Sequence, residues 1–192
     1  MKYLLASSLF FMFSCYAMGL AQLPKNLFTN GSFNGPKGED QHGNGWLVSS
    51  TPDLNDAAGE LQTSTGYTWI KRPVSSFNGG TWQNLYSDRE YLEQTVQVEK
   101  GHVYSILFEY ASQGITSGSY TFSDPCGIHM YINGALVYTT PDDATPYTWE
   151  NTCYHFIAPS STITLRFSAS KEQYVGLDGA SLYEGNFCER IP

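Results

Sequence analysis

Five aromatic residues stand in polar stretches of the chain where they can meet a solute: Tyr67, Trp69, Trp82, Tyr86 and Tyr120. One face of a sugar ring is a patch of C–H bonds, and an exposed indole or phenol stacks on it. Trp and Tyr bring a large flat area with few rotatable bonds to freeze. The hydroxyls at the ring edge need hydrogen-bonding partners. Gln83, Asn84, Asp88 and Arg89 lie beside Trp82 and Tyr86, and Gly66-Tyr67-Thr68-Trp69 has the same mixed character. The expected ligand contacts are Tyr67, Trp69, Trp82, Gln83, Tyr86, Arg89 and Tyr120. No fixed spacing defines such a platform, so the competing reading is half-buried packing beneath a loop.

Catalysis would leave a different mark. Glycoside hydrolysis needs two carboxyl groups roughly 5 to 9.5 Å apart. Glu90 and Glu93 are three positions apart, which puts them on opposite faces of a strand. Glu109 stands alone in an apolar run, and Asp142-Asp143 after Pro141 reads as a turn. Ser, His and Asp occur, but not in a nucleophile context such as Gly-x-Ser-x-Gly. The histidines are scattered and there is no Cys-x-x-Cys, so the spacing of a zinc site is missing. These residues describe a chain that binds and does not catalyse.

Strands must position such a site. Tyr91–Val98 alternates Leu92, Val96 and Val98 against Glu93, Thr95 and Gln97. Val103–Ala111 is apolar on both faces, as in the middle of a sandwich. Ile128–Ile132 and Ala135–Thr139 flank Asn133-Gly134, the residues a type I′ hairpin requires. Thr152–Ala158 and Ser161–Ser168 read as strands. Along Tyr174–Tyr183 the apolar phase slips across Asp178-Gly179, which predicts a β-bulge that re-aims Asp178. Gly35–Gly45 and Ser75–Ser87 read as loops, the second carrying Trp82 and Tyr86. Trp46 and Trp149 are assigned to the core. Short strands at spacings near ten residues, without a long helical pattern, predict an all-β, two-sheet antiparallel sandwich.

Lys2 followed by the apolar run Leu4–Phe13 reads as a signal peptide cleaved after Ala21; a lipid-modified Cys15 is the rival, with a poor flanking sequence. The expected organisation is a signal at 1–21, one sandwich domain at 22–185 and a tail at 186–192. Of the three cysteines beyond the signal, Cys126 and Cys153 begin strands expected to share a sheet and are the expected bridge, although three pairings are open. The net charge of −8 argues against a nucleic-acid backbone or an anionic membrane as partner. Aromatic residues make up 15% of the chain, a composition suited to uncharged polar ligands.

Two motifs bracket this region: Asn26-Leu27-Phe28-Thr29-Asn30-Gly31-Ser32-Phe33 with Gly45-Trp46, and Val175-Gly176-Leu177-Asp178-Gly179-Ala180-Ser181-Leu182. Together they resemble the first and last strands of galactose-binding-like jelly rolls, in particular the 4/9-type carbohydrate-binding modules. The resemblance implies a jelly-roll fold and a secreted, lectin-like module for a neutral extracellular or cell-surface glycan. It also implies a structural calcium drawing on Asn34 and Asp178. Asn34 and Gly179 stand where that family commonly has acids, which thins the oxygen set that calcium needs. Asn30-Gly31-Ser32 is formally a glycosylation sequon, read here as a turn device. The other reading of the chain is a secreted structural or adhesion domain that recognises protein and has no small-molecule site.

Overall fold

The computed structural model describes residues 24–36, 38, 40–56, 81–112, 116–117, 120–121, 125–142 and 148–190. Twelve strands are present among them: β1 (Leu47–Ser49), β2 (Asp53–Asp56), β3 (Thr81–Tyr86), β4 (Tyr91–Gln97), β5 (Val103–Ser112), β6 (Thr116–Ser117), β7 (Tyr120–Thr121), β8 (Ile128–Ile132), β9 (Ala135–Thr139), β10 (Trp149–Ile157), β11 (Thr162–Ala169) and β12 (Tyr174–Glu184). They form two five-stranded antiparallel sheets, in the orders β1-β4-β11-β8-β9 and β10-β5-β12-β3-β2, with β6 and β7 as a separate pair. Among the described residues the only helix is a short 3-10 turn, Cys188–Arg190.

Alternation assigns the faces. In the first sheet Leu92 and Val96 of β4, Met130 of β8, and Ile163, Leu165 and Phe167 of β11 are buried. In the second, Ile106, Phe108 and Tyr110 of β5, Leu85 of β3, and Val175 and Leu177 of β12 face them in one core. Each large apolar side chain so buried contributes roughly 1.5–3 kcal/mol. Phe108 and Phe167 meet edge to face across the two layers, with ring centroids 5.3 Å apart. Trp46 joins that cluster against Phe28 and Phe33, each at 5.1 Å. The Trp46 indole N–H donates to the Asn30 carbonyl, so its polar edge is satisfied inside.

The expected hairpin is present, with positive φ at both Asn133 (50°) and Gly134 (80°). So is the bulge in β12: pairing with β5 shifts register between Asp178 and Ser181, and Gly179 takes φ 60°. Two expectations need correction. The segment read as a loop before Ser87 contains β3, which pairs with both β12 and β2 inside the second sheet. Its alternation was hidden because Gln83 points inward with Leu85. The bridge expected between Cys126 and Cys153 is instead Cys153–Cys188, with Cα atoms 5.3 Å apart. Cys126 precedes β8 in the first sheet, whereas Cys153 is on β10 in the second, so they do not share a sheet. Cys126 is a buried free thiol near the Gln173 carbonyl (3.5 Å). Burial pushes its pKa up, so it is held as an inert thiol.

Candidate functional site

The outer face of the second sheet collects the chemistry. On β3, Gln83 and Leu85 turn toward the core, so Trp82, Asn84 and Tyr86 share the outer face. On β12 the same face carries Tyr174, Gly176 and Asp178; on β5, Glu109 and Ala111; on β10, Trp149 and Asn151. Register draws these into rows. Asn84 pairs with Gly176, Gly176 with Ala111, and Ala111 with Trp149. Asp178 pairs with Glu109, and Glu109 with Asn151. Gly176 and Ala111 carry almost no side chain, which leaves room above them for larger neighbours. The Trp82 and Trp149 indoles meet edge to face, with centroids 5.5 Å apart. Tyr86 and Tyr174 close that end of the face, with ring centroids 4.7 Å apart and planes tilted by 44°.

Trp82 is only 1% exposed and Asn84 likewise 1%. Trp82 Nε1 and Asn84 Oδ1 are buried and have no hydrogen-bond partner among the described residues. Leaving a buried donor or acceptor unsatisfied costs about 1–3 kcal/mol, and native folds rarely tolerate it without a reason. Glu109 and Asp178 are also buried on this face. The arrangement places a donor, an acceptor and the half-buried ring of Trp149 on one face.

The sequence-derived candidates fall into separate places. Trp82 and Tyr86 belong to the patch, but the Trp82 ring is not an open platform. Gln83 faces inward and pins loops: its amide donates to the carbonyls of Gln41 (3.1 Å) and Asp53 (2.7 Å) and accepts from the Gly43 N–H (3.2 Å). Arg89 is exposed in the turn after β3, its N–H donating to Ser87 Oγ. Tyr120 belongs to β7, its side chain outside the described residues, and Tyr67 and Trp69 lie outside them altogether. Trp149, assigned to the core from sequence, is instead half-buried on the outer face of an edge strand. Strand phase held the missing signal: once Thr81–Tyr86 is a strand, positions 82, 84 and 86 share a side.

Among the described residues no group of three or more His, Cys, Asp or Glu could hold a metal ion. Asn34 is exposed, its N–H donating to Asn30 Oδ1 and its carbonyl accepting from Asn30 Nδ2, both at 2.8 Å. Asp178 is fully buried. Elsewhere, burial and a hydrogen bond to Glu150 raise the Tyr110 pKa, keeping the phenol protonated.

No family model and no curated protein matches the sequence. Solved structures do. A cyclase from Fischerella sp. TAU, in complex with 4-(1H-indol-3-yl)butan-2-one, is similar with a TM-score of 0.53 at 10% identity, over 76% of this chain and 87% of that one. The CBM22-1 xylan-binding domain of Xyn10C from Paenibacillus barcinonensis is similar with a TM-score of 0.48 at 13% identity, over 85% of this chain and 97% of that one. A family 35 carbohydrate-binding module from Clostridium thermocellum is similar with a TM-score of 0.42 at 16% identity, over 71% of this chain and 100% of that one. At these identities the likeness is one of fold. The chain is a jelly-roll β-sandwich, as the terminal motifs imply, and carbohydrate-binding modules are among the structures it resembles.

Proposed function

We propose that this chain is an exported, non-catalytic carbohydrate-binding module that holds a neutral extracellular or cell-surface glycan against the outer face of its second sheet. The observation that carries the reading is the pair of buried polar atoms, Trp82 Nε1 and Asn84 Oδ1, that have no hydrogen-bond partner among the described residues, on the same face as the half-buried Trp149 ring. A polyol satisfies a donor and an acceptor together, and its C–H face packs on an aromatic ring. Trp149 is the accessible stacking surface in this scheme, and Trp82 supplies its N–H from behind.

A glycan array on the folded mature protein tests it, followed by Trp149→Ala and Asn84→Ala. Each substitution should weaken the best glycan at least tenfold while the protein stays folded. No binding to any glycan by a folded protein would retire the proposal. The near-complete burial of Trp82 favours the other reading, a structural or adhesion domain without a small-molecule site, and that null result is what it requires.

A further inference from the structure

A cavity opens on the outer face of the first sheet, lined by none of the residues of the site proposed above. Its volume is about 280 Å³, and Ser87, Asp88, His129, Tyr131, Lys171 and Glu172 line it, with Ser170. That is just below the ~300–1,000 Å³ of drug-sized sites and suits one small molecule. Its walls are fixed. His129 and Tyr131 are outward neighbours on β8, their rings perpendicular at 6.1 Å and the Tyr131 hydroxyl 3.4 Å from His129 Nδ1. Ser170 Oγ donates to Asp142 Oδ1 (2.8 Å), which also accepts from the Gly127 N–H (3.0 Å). The turn after β11 is thereby tied to the start of β8.

The charges decide what the cavity takes. Lys171 Nζ is 3.2 Å from Asp142 Oδ2, so its charge is already matched. Arg166, paired with Tyr131 across the strands, is held by Glu93 at 2.9 Å and lies over the Tyr91 ring. Asp88 and Glu172 are exposed and pair with no cation among the described residues. The uncommitted charge at the cavity is therefore negative, in a chain of net charge −8. A ligand that complements it carries a cation, an apolar face for the Tyr131 ring, and hydroxyls for His129 and Ser87.

We propose that this cavity is a second binding site, specific for a saccharide bearing a free amine. Asp88 and Glu172 receive the ammonium, Tyr131 packs against the ring or the ammonium, and uronic acids are repelled. The argument uses no residue of the second sheet's outer face, so it stands whether or not that face binds a glycan.

Amide NMR titration of the mature protein tests this with four probes: glucosamine, N-acetylglucosamine, glucuronate and ethanolamine. Glucosamine should shift the amides of residues 87–88, 129–131 and 170–172. N-acetylglucosamine, the same ring without the charge, should bind at least tenfold more weakly, and glucuronate should give no shift. Raising the salt to 0.5 M should weaken glucosamine further. Asp88→Asn combined with Glu172→Gln alters two exposed side chains, so the fold should be kept, and it should abolish the preference for glucosamine. Tyr131→Ala should weaken it as well, and Trp149→Ala should leave it unchanged. The proposal is overturned by equal binding of glucosamine and N-acetylglucosamine, by a preference that survives the double substitution, or by no shift with any probe. Ethanolamine binding as tightly as glucosamine would also overturn it, since the cavity would then be a site for cations and not for sugars.

Discussion

His102 and Glu90 show how single side chains set the response of this fold to pH. His102 Nδ1 is 2.7 Å from Glu184 Oε1, and its Nε2 is 3.2 Å from Glu99 Oε2. The hydrogen bond to Glu184 raises its pKa above the usual 6.5, against the opposing effect of desolvation and with help from the Glu99 charge. Glu90 is pushed up to about 7, chiefly by burial, although the Tyr86 N–H donates to its carboxylate. Both groups bind a proton more tightly folded than unfolded. Stability from each is therefore complete below its unfolded pKa and is lost as pH rises through the folded value. For Glu90 that window runs from about 4.5 to about 7. For His102 it begins at about 6.5 and extends upward. Urea denaturation between pH 4.5 and 8.5 should show Glu90→Gln flattening the lower part of the decline and His102→Gln the upper part. Identical pH slopes in wild type and both variants would disprove the assignment.

At the scale of elements, legibility followed burial. Strands whose apolar residues alternate, such as β4 and β11, could be read directly, because one face of each meets the core. β3 could not, because Gln83 occupies an inward position and spans to Gln41 and Asp53, a role that only the fold creates. The cysteine pairing was hidden for a similar reason: it depends on the tail after β12 returning to β10. Ser105 Oγ donates to the Gly185 carbonyl (2.7 Å) and accepts from the Phe187 N–H (2.8 Å), which sets Cys188 beside Cys153. The bulge in β12 was legible from its phase slip, and it fixes where Asp178 points. We further propose a structural calcium at Asp178, with backbone carbonyls supplying its remaining oxygens, because Asn34 is exposed whereas Asp178 is fully buried. An ion held a hundredfold above its dissociation constant stabilises by about 2.7 kcal/mol. For a chain of this size that is roughly 5–10 °C. EDTA should lower the melting temperature by that amount, and an unchanged value would remove calcium from the proposal.

Across the whole molecule, the two motifs that bracket the sequence meet in space. The Ala180 N–H donates to the Gly31 carbonyl (2.8 Å), and the Leu27 N–H donates to the Leu182 carbonyl (2.9 Å). Asn26 reinforces the junction: its Oδ1 accepts from the Leu182 N–H (2.9 Å) and its Nδ2 donates to the Ala180 carbonyl (3.1 Å). Gln94 ties the same segment to the first sheet through both backbone groups of Thr29. The N-terminal motif thus fastens one sheet to the other, which is why its Asn and Gly were informative in sequence while their partners, far along the chain, were not. Gly31 is the tightest point. A Cβ there would stand 1.8 Å from the Ala180 carbonyl oxygen, a backbone atom that cannot swing aside. Gly31→Ala should therefore destabilise by on the order of 3 kcal/mol or more, the range of severe packing defects. Gly134→Asn in the hairpin is the control: nothing lies near its Cβ, and Asn tolerates a positive φ, so the loss there should be below about 1 kcal/mol. Chemical denaturation of the two variants side by side reads the contrast. A Gly31→Ala protein as stable as wild type would mean that the terminal motifs do not close the sandwich.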